Sequence, residues 1–457
     1  MRRRDLLTTA CAGLATAALP GLAAAGPARR KPNIVVILCD DLGYGDISVN
    51  SPGGIKTPAL ETMAREGVVL TDYYAPANLC TPSRAGLLTG RYPIRTGLGY
   101  EVIMQADDRG LSLSETTIPK ALAADYVSGL FGKWHLGHAP AYWPPTKHGF
   151  DTFFGIPYSH DMAPLSLYEA RAGSDAVTQT PVDYPTLQQQ FYLRAERFIE
   201  AHKDRPFFVE LAFSAPHLPE HPGPGFDQAT AAGAYGAVVA EIDSLVARLF
   251  ATLRRLKIDD DTLVIFTSDN GPWLEGSSGG LRDRKGGAGY DGGFRVPFIA
   301  RFPGVIPPGR RVASIAMGID VLPTACAMAG VVLPADLVVD GRDITAVLTR
   351  GAASPHEQLI LFDNETPVAV RTQQWKYVGN TYYRGLRLPY DLLGLSELYD
   401  VRADPSESYS VASIHPDVAA DLKARLAQAR SDFAALKHKD VPPAFLKLRA
   451  MAEHLQD

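Results

Sequence analysis

Four short polar clusters hold most of the residues in this 457-residue chain that could do chemistry. They are Asp40-Asp41, the run Gly132-Lys133-Trp134-His135, His217 in Ala215-Pro216-His217, and Asp269-Asn270. Asp40, Asp41, Asp269 and Asn270 offer hard oxygen ligands only. Such a set suits Ca²⁺ or Mg²⁺ and not zinc, which prefers nitrogen and sulfur. Three carboxylates outweigh one dication in charge, so further cations are required nearby. Lys133, His135, Arg84 and Lys285 are the candidates, placed to hold a tetrahedral anion beside the metal. His135 and His217 each follow an apolar run and are candidates to act on protons. Taken singly, a D-D or D-N pair is a common turn, a lysine a solvated charge and a histidine a satisfied structural residue. Four such clusters together argue against that.

Residues 80–91 read C-T-P-S-R-A-G-L-L-T-G-R. Thr81 is expected to cap a helix with Pro82 as its first residue. Cys80 then sits at the helix N-terminus, where the dipole favours anions. A thiolate there would be a good nucleophile but a poor partner for a hard metal held by oxygens. The chemistry is more coherent if residue 80 presents oxygen.

These groups need elements that bring them together. Asn33–Cys39 reads N-I-V-V-I-L-C, a continuous apolar run suited to a strand buried on both faces of a parallel sheet. Val127–Phe131, Phe207–Phe213 and Leu263–Thr267 are similar, and each runs into one of the polar clusters. Helical patterns lie between them. One starts at Thr57-Pro58, with Leu60, Met63 and Ala64 inward; another carries Phe191, Ala195, Phe198 and Ile199; the longest runs from Val238 to Leu253. Alternating strands and helices predict a doubly wound α/β fold, in which ligands bind at the carboxyl ends of the strands. The chain divides into a catalytic domain at 32–345 and a smaller α+β subdomain at 355–457, an antiparallel sheet with a helix over about 418–435. Residues 161–185 lack periodicity and are expected to form a long surface loop. Together with 97–110, and with His160, His221 and Trp273, that loop should shape the pocket.

Residues 1–25 form an export signal. Arg2-Arg3-Arg4 precedes an Ala/Leu/Gly-rich stretch ending Ala23-Ala24-Ala25 and resembles a twin-arginine leader. The mature protein is therefore expected to be periplasmic or secreted, without stable membrane insertion. Net charge of −5 argues against a nucleic-acid partner. Cys39 and Cys326 read as small buried hydrophobes.

Cys80-Thr81-Pro82-Ser83-Arg84 with Leu88-Thr89-Gly90-Arg91 resembles the signature of the formylglycine-dependent (type I) sulfatases of the alkaline phosphatase superfamily. Asn33–Gly45, ending D-D-L-G-Y-G, is similar to that family's first strand and metal pair. Gly132–Gly137, Ser268–Gly271 and Glu397–Asp400 match later blocks, and Gly155–Asp161 resembles the arylsulfatase A branch. The likeness spans about 32–405. It implies an alkaline phosphatase-like α/β fold: a large, mostly parallel mixed sheet sandwiched by helices, with the smaller C-terminal α+β subdomain. It also implies that Asp40, Asp41, Asp269 and Asn270 bind Ca²⁺, with Mg²⁺ as the alternative. Cys80, oxidised to 3-oxoalanine (formylglycine) by a formylglycine-generating enzyme, would be the nucleophile as its hydrate and complete the metal shell. Arg84 would orient a hydrate hydroxyl, and Asp269 would take its proton. His135 would help collapse the sulfated hemiacetal. Lys133, Lys285 and Ser159 would hold sulfate oxygens, and His217 would protonate the leaving alcohol. The substrate would be a sulfated small molecule or saccharide.

Two departures from the family pattern stand out. One extra residue separates Lys285 from Tyr290, and Asp291 stands where Glu is common. The rival readings are a formylglycine-dependent phosphonate or phosphate monoester hydrolase, an unmodified, inactive glycan-binding homologue, and a Cys–His hydrolase. The last leaves the carboxylates unexplained.

Overall fold

β1 (Asn33–Asp40) is buried at every position because its two faces enter different cores. Ile34, Val36 and Leu38 join one apolar cluster, while Val35, Ile37 and Cys39 join another. That explains the absence of polar alternation in its sequence. The computed structural model describes residues 30–226, 230, 232–383, 386–389 and 393–438. The proposed export signal at 1–25 lies outside the described residues.

The other strands of the main sheet are β2 (Val68–Leu70), β3 (Val127–Lys133), β4 (Thr152–Ile156), β5 (Ser166–Arg171), β6 (Val177–Pro181), β7 (Phe207–Pro216), β8 (Thr262–Ser268), β9 (Phe298–Arg301) and β10 (Arg310–Val312). The ten strands lie in the order β10-β2-β9-β8-β1-β7-β3-β4-β5-β6. From β8 to β4 every neighbouring pair is parallel. The strands β8, β1, β7 and β3, which carry the four polar clusters, are adjacent. Their carboxyl ends therefore open on one edge, as the α/β pattern requires.

The longer helices are α1 (Pro58–Glu66), α2 (Cys80–Thr89), α3 (Leu187–His202), α4 (Gly233–Arg255), α5 (Val321–Ala329) and α6 (Pro416–Phe433). α1, α3 and α4 cover one face of the sheet; α2 and α5 cover the other. α4 has no side-chain cap. It is held by Val238, Ile242, Leu245, Val246, Leu249 and Leu253, all buried at helical spacing. Each such side chain contributes about 1.5–3 kcal/mol of transfer free energy, so a charge at Ile242 would detach the helix.

A second, antiparallel sheet runs β11 (Leu359–Asp363), β12 (Thr366–Arg371), β13 (Trp375–Val378), β14 (Glu397–Asp400). α6 packs on it through Leu422, Leu426 and Phe433, and the same apolar cluster takes in Tyr74, Tyr290 and Phe294. The segment that follows Lys285 is thus anchored on this sheet.

Three expectations need correction. Residues 161–185 are not one loop: β5 and β6 form a hairpin on the sheet edge. β6, V-T-Q-T-P, is largely exposed. Backbone pairing holds it there, and it has no apolar face to announce it in sequence. α2 begins at Cys80 with Leu79 before it, so Thr81 is not the cap. Its hydroxyl instead donates to the His135 carbonyl (3.0 Å) and accepts from the Ile103 amide (3.0 Å). Thr57 likewise makes no cap to α1, because its hydroxyl accepts from the Ser48 amide; Ala64 is only half-buried. Among the described residues, no helix is long and apolar enough to cross a membrane.

Candidate active site

The edge formed by β8, β1, β7 and β3 brings the predicted acids and cations into direct pairs, with His135, Ser159 and His217 in the wall of the adjoining cleft. Asp41 and His135 both adopt left-handed backbone, φ 65° and 59°, a conformation uncommon outside glycine and concentrated at functional sites. It turns the chain sharply as each leaves its strand. Gly132 performs a different task. A Cβ there would lie 1.7 Å from the Ala212 carbonyl oxygen, so only glycine lets β3 approach β7 and set Lys133 at this depth.

Each carboxylate has a cation. Lys133 Nζ is 2.6 Å from Asp40 Oδ2, Lys285 Nζ is 2.7 Å from Asp41 Oδ2, and Arg84 Nη2 is 2.8 Å from Asp269 Oδ2. Arg84 also donates to the Lys133 carbonyl (3.1 Å). The loop with the extra residue therefore still delivers Lys285. It is folded back by turns at Asp283 (φ 70°) and Gly286 (φ 69°), with the Asp283 carboxylate accepting from the Ala288 amide.

Cys80 Sγ lies 3.3 Å from Asp40 Oδ1. Ligand atoms of Asp40, Asp41, Cys80 and Asp269 fall within 4.8 Å of one another, as do those of Asp41, Cys80 and His217. The Asn270 amide donates to Asp41 Oδ1 (2.7 Å). Its own Oδ1 is buried and makes no hydrogen bond among the described residues. A buried acceptor left over costs stability unless something outside the chain engages it. An all-oxygen donor set with a spare amide oxygen fits a hard divalent cation.

Burial alone would raise the Asp40 carboxyl, yet Lys133, His217 and Arg84 outweigh it and hold it well below the usual carboxylate range. Burial pushes Asp269 up to about 6 in spite of Arg84. Burial, with Asp40 adding to it, drives the Cys80 thiol well above its ordinary value. The helix terminus therefore does not yield the thiolate that its position suggested. Burial and Lys133 hold the His135 imidazole neutral.

Tautomers follow from carbonyls, which only accept. His135 Nε2 donates to Ile103 O (2.9 Å), leaving a buried Nδ1 lone pair without a partner. His217 Nδ1 donates to Leu218 O (2.5 Å), which leaves Nε2 toward Asp41 Oδ2 at 3.6 Å. The Ser159 hydroxyl is buried and makes no hydrogen bond among the described residues. Cys80, His135, Ser159, His217 and Lys285 all line one cleft of about 360 Å³.

Sequence reasoning missed three braces. Ser83 Oγ donates to the Asp269 carbonyl, Ser268 Oγ accepts from the Leu42 amide (2.9 Å), and Thr81 ties α2 to the His135 turn. Ser83 lies inside the signature, which was the available signal. Of the expected pocket segments, 97–110 supplies Glu101, Val102 and Met104, and Trp273 is also in the wall. From 161–185 only Asp161 and Met162 line it. His160 and His221 border a small adjoining cavity.

A family model described as Sulfatase matches residues 32–331. A second, described as N-sulphoglucosamine sulphohydrolase, C-terminal, matches 285–432. The chain is 35% identical to human arylsulfatase A over 92% of its own length and 89% of that protein's. It is 34% identical to mouse steryl-sulfatase over 79% of its length and 72% of the other's. Among solved structures it resembles the sulfatase PsFucS1 from a Pseudoalteromonas species, with a TM-score of 0.81 and 27% identity, covering 90% of this chain and 92% of that one. The carboxylate edge, the cleft and these likenesses agree: the chain belongs to the sulfatase family and is a sulfuric ester hydrolase.

Proposed function

We propose that the ester is cleaved at a formylglycine made from Cys80, beside one divalent cation, Ca²⁺ in preference to Mg²⁺. The observation that carries this reading is Cys80 Sγ at 3.3 Å from Asp40 Oδ1, inside a cluster of oxygen ligands unsuited to sulfur. The Sγ position stands in for a hydrate oxygen. Asp40, Asp41, Asp269 and Asn270 would hold the cation, which would neutralise charge on the sulfate oxygens and on the residue 80 hydrate.

The remaining work falls to the chain. Arg84, fixed between Asp269 and the Lys133 carbonyl, orients one hydroxyl of residue 80. Asp269, paired with Arg84, accepts its proton during attack. Lys133, Lys285 and the unpartnered Ser159 hydroxyl bind the sulfate oxygens. Both lysines pair with carboxylates here and would re-aim at the substrate once the cation takes up those oxygens. His217, as the imidazolium with Nδ1–H on the Leu218 carbonyl, gives its Nε2 proton to the leaving alcohol and is left neutral. His135 Nδ1, held neutral, takes the proton from the second hydroxyl as sulfate departs.

Supporting residues imply supporting partners: a formylglycine-generating enzyme for maturation, and export to the periplasm or beyond through the twin-arginine-like segment. Intact-protein mass spectrometry tests the modification, since conversion of thiol to aldehyde lowers the mass. Protein that turns over an aryl sulfate while keeping the unmodified thiol mass would refute it. Rates on matched sulfate and phosphonate esters separate this reading from the phosphonate hydrolase, which would favour the latter.

A further inference from the structure

Beyond the sulfate-binding groups, the cleft has a second character. Leu79, Val102, Met104, Met162, Leu218 and Trp273 make its outer walls. Met104 and Trp273 remain 43% and 41% exposed and stand with the other four in the wall of one cleft, a grouping that marks a binding surface where a single exposed apolar residue would not. The charged residues at this outer level are acidic, Glu101 and Asp161. Among the described residues lining the cleft, Lys285 alone bears a Lys or Arg side chain, and the proposed reaction already uses it on the sulfate being cleaved.

Two arginines close to the mouth are bonded to its walls. Arg109 donates to the carbonyls of Tyr100 (2.7 Å) and Val102 (3.2 Å) and pairs with Asp107 (2.7 Å). Arg284 donates through Nη1 to the carbonyls of Trp273 (2.8 Å) and Gly276 (2.5 Å). Each guanidinium thus helps pin the wall that carries an apolar residue. Glu101 is also fixed. Its amide donates to Asn364 Oδ1 (2.7 Å), and its Oε1 accepts from Asn364 Nδ2 (3.2 Å). Both residues adopt left-handed backbone, φ 48° and 54°, so the carboxylate is held at the rim by a turn of the C-terminal sheet.

We infer that this cleft selects sulfate monoesters whose alcohol part is apolar and carries no second negative charge, with Glu101 and Asp161 as the residues that reject further anions. A second sulfate or carboxylate on the substrate would meet two carboxylates, and no free cation among the described lining residues. An aromatic or aliphatic alcohol would meet a matching wall. The inference rests on the sulfatase reading of the same cleft, and narrows its substrate class to exclude polyanionic glycans.

The test compares kcat/KM for two nitrophenyl sulfates of equal size, one with a ring carboxamide and one with a ring carboxylate. Wild-type protein should prefer the carboxamide by roughly tenfold at low salt, the effect of about 1.4 kcal/mol of like-charge repulsion. The preference should shrink at 0.5 M salt because exposed charges are screened. Glu101→Gln with Asp161→Asn should cut it to about threefold or less. If the Glu101 change disturbs the Asn364 contact and the protein fails to fold, Asp161→Asn alone, at an exposed position, should still reduce it. Equal or inverted wild-type preference, or a preference untouched by Asp161→Asn and by salt, would overturn the inference while leaving the sulfatase reading intact. No turnover of either ester by protein with modified residue 80 would remove both.

Discussion

Among the described residues, two buried clusters set three acids against three or more bases, and only one of them has the makings of a catalytic site. At the sheet edge, Asp40, Asp41 and Asp269 meet Lys133, Lys285 and Arg84. Beneath the C-terminal sheet, Asp72, Asp291 and Glu407 meet Arg371, Lys376 and Arg295. There Lys376 Nζ lies 2.7 Å from both Asp291 Oδ1 and Glu407 Oε1, Arg371 Nη2 lies 2.7 Å from Asp72 Oδ1, and Tyr74 closes the ring by donating to Asp291. None of these residues lines the cleft. The edge cluster reaches the cleft through Lys285, and beside it Asn270 Oδ1, Ser159 Oγ and His135 Nδ1 are buried without hydrogen bonds among the described residues. Paired charge under cover holds a fold in register. Paired charge with spare polar atoms and an opening is prepared for a ligand.

That contrast can be broken by substitution. Cys80→Ala should reduce aryl sulfate turnover by at least about 10⁴-fold, with the thermal midpoint little changed, because Cys80 contributes a small side chain to a site and not to a core. Retained turnover would end the nucleophile assignment. Lys376→Met should do the opposite. It strands Asp291 and Glu407 and should cost about 3–5 kcal/mol in denaturant unfolding, with turnover per folded molecule largely kept. A stable but inactive Lys376→Met protein would mean the two clusters are not functionally distinct. Lys133→Met should lower kcat/KM by about 10²–10³-fold, and in calcium-saturated protein urea unfolding should shift less than for Lys376→Met, because a cation held by Asp40 offsets the carboxylate that the lysine leaves.

The smallest effect concerns a residue beside the edge cluster. Burial pushes the Glu210 carboxyl up to about 7, with Arg84 opposing. The folded chain therefore holds this proton more tightly than the unfolded chain. Its contribution to stability is fully present below about pH 4.5 and is lost as pH rises to about 7. Glu210→Gln should flatten the stability profile over that window and stabilise the protein at pH 8 by roughly 1–3 kcal/mol. An unchanged slope in pH-dependent urea unfolding would show that Glu210 is ionised or compensated.

The two clusters also differ in how legible they are in the sequence. The edge cluster is readable because Asp40, Asp41, Asp269 and Lys133 close or follow runs such as N-I-V-V-I-L-C, parallel strands deliver their C-terminal neighbours to one edge, and Arg84 lies inside the Cys80 motif. Lys285 is readable despite its extra residue, since two left-handed turns absorb the insertion. The Asp291–Lys376–Glu407 cluster is not readable. Its members sit far apart in sequence on unrelated elements, and nothing periodic links them; only the unusual Asp291 marks the place. The β5–β6 hairpin escapes sequence reasoning because an edge strand held by backbone bonds needs no apolar pattern. Thr81 mimics a cap because its local pattern is that of a cap, while its hydroxyl serves contacts with Ile103 and His135, residues distant in sequence.

A crystal structure of turnover-competent protein grown with calcium tests the central claim most directly. The expected result is one ion bound by oxygens of Asp40, Asp41, Asp269 and Asn270, in contact with an oxygen of an aldehyde hydrate at residue 80. An unaltered thiol at residue 80 in active protein, with no ion among those four side chains, would contradict it.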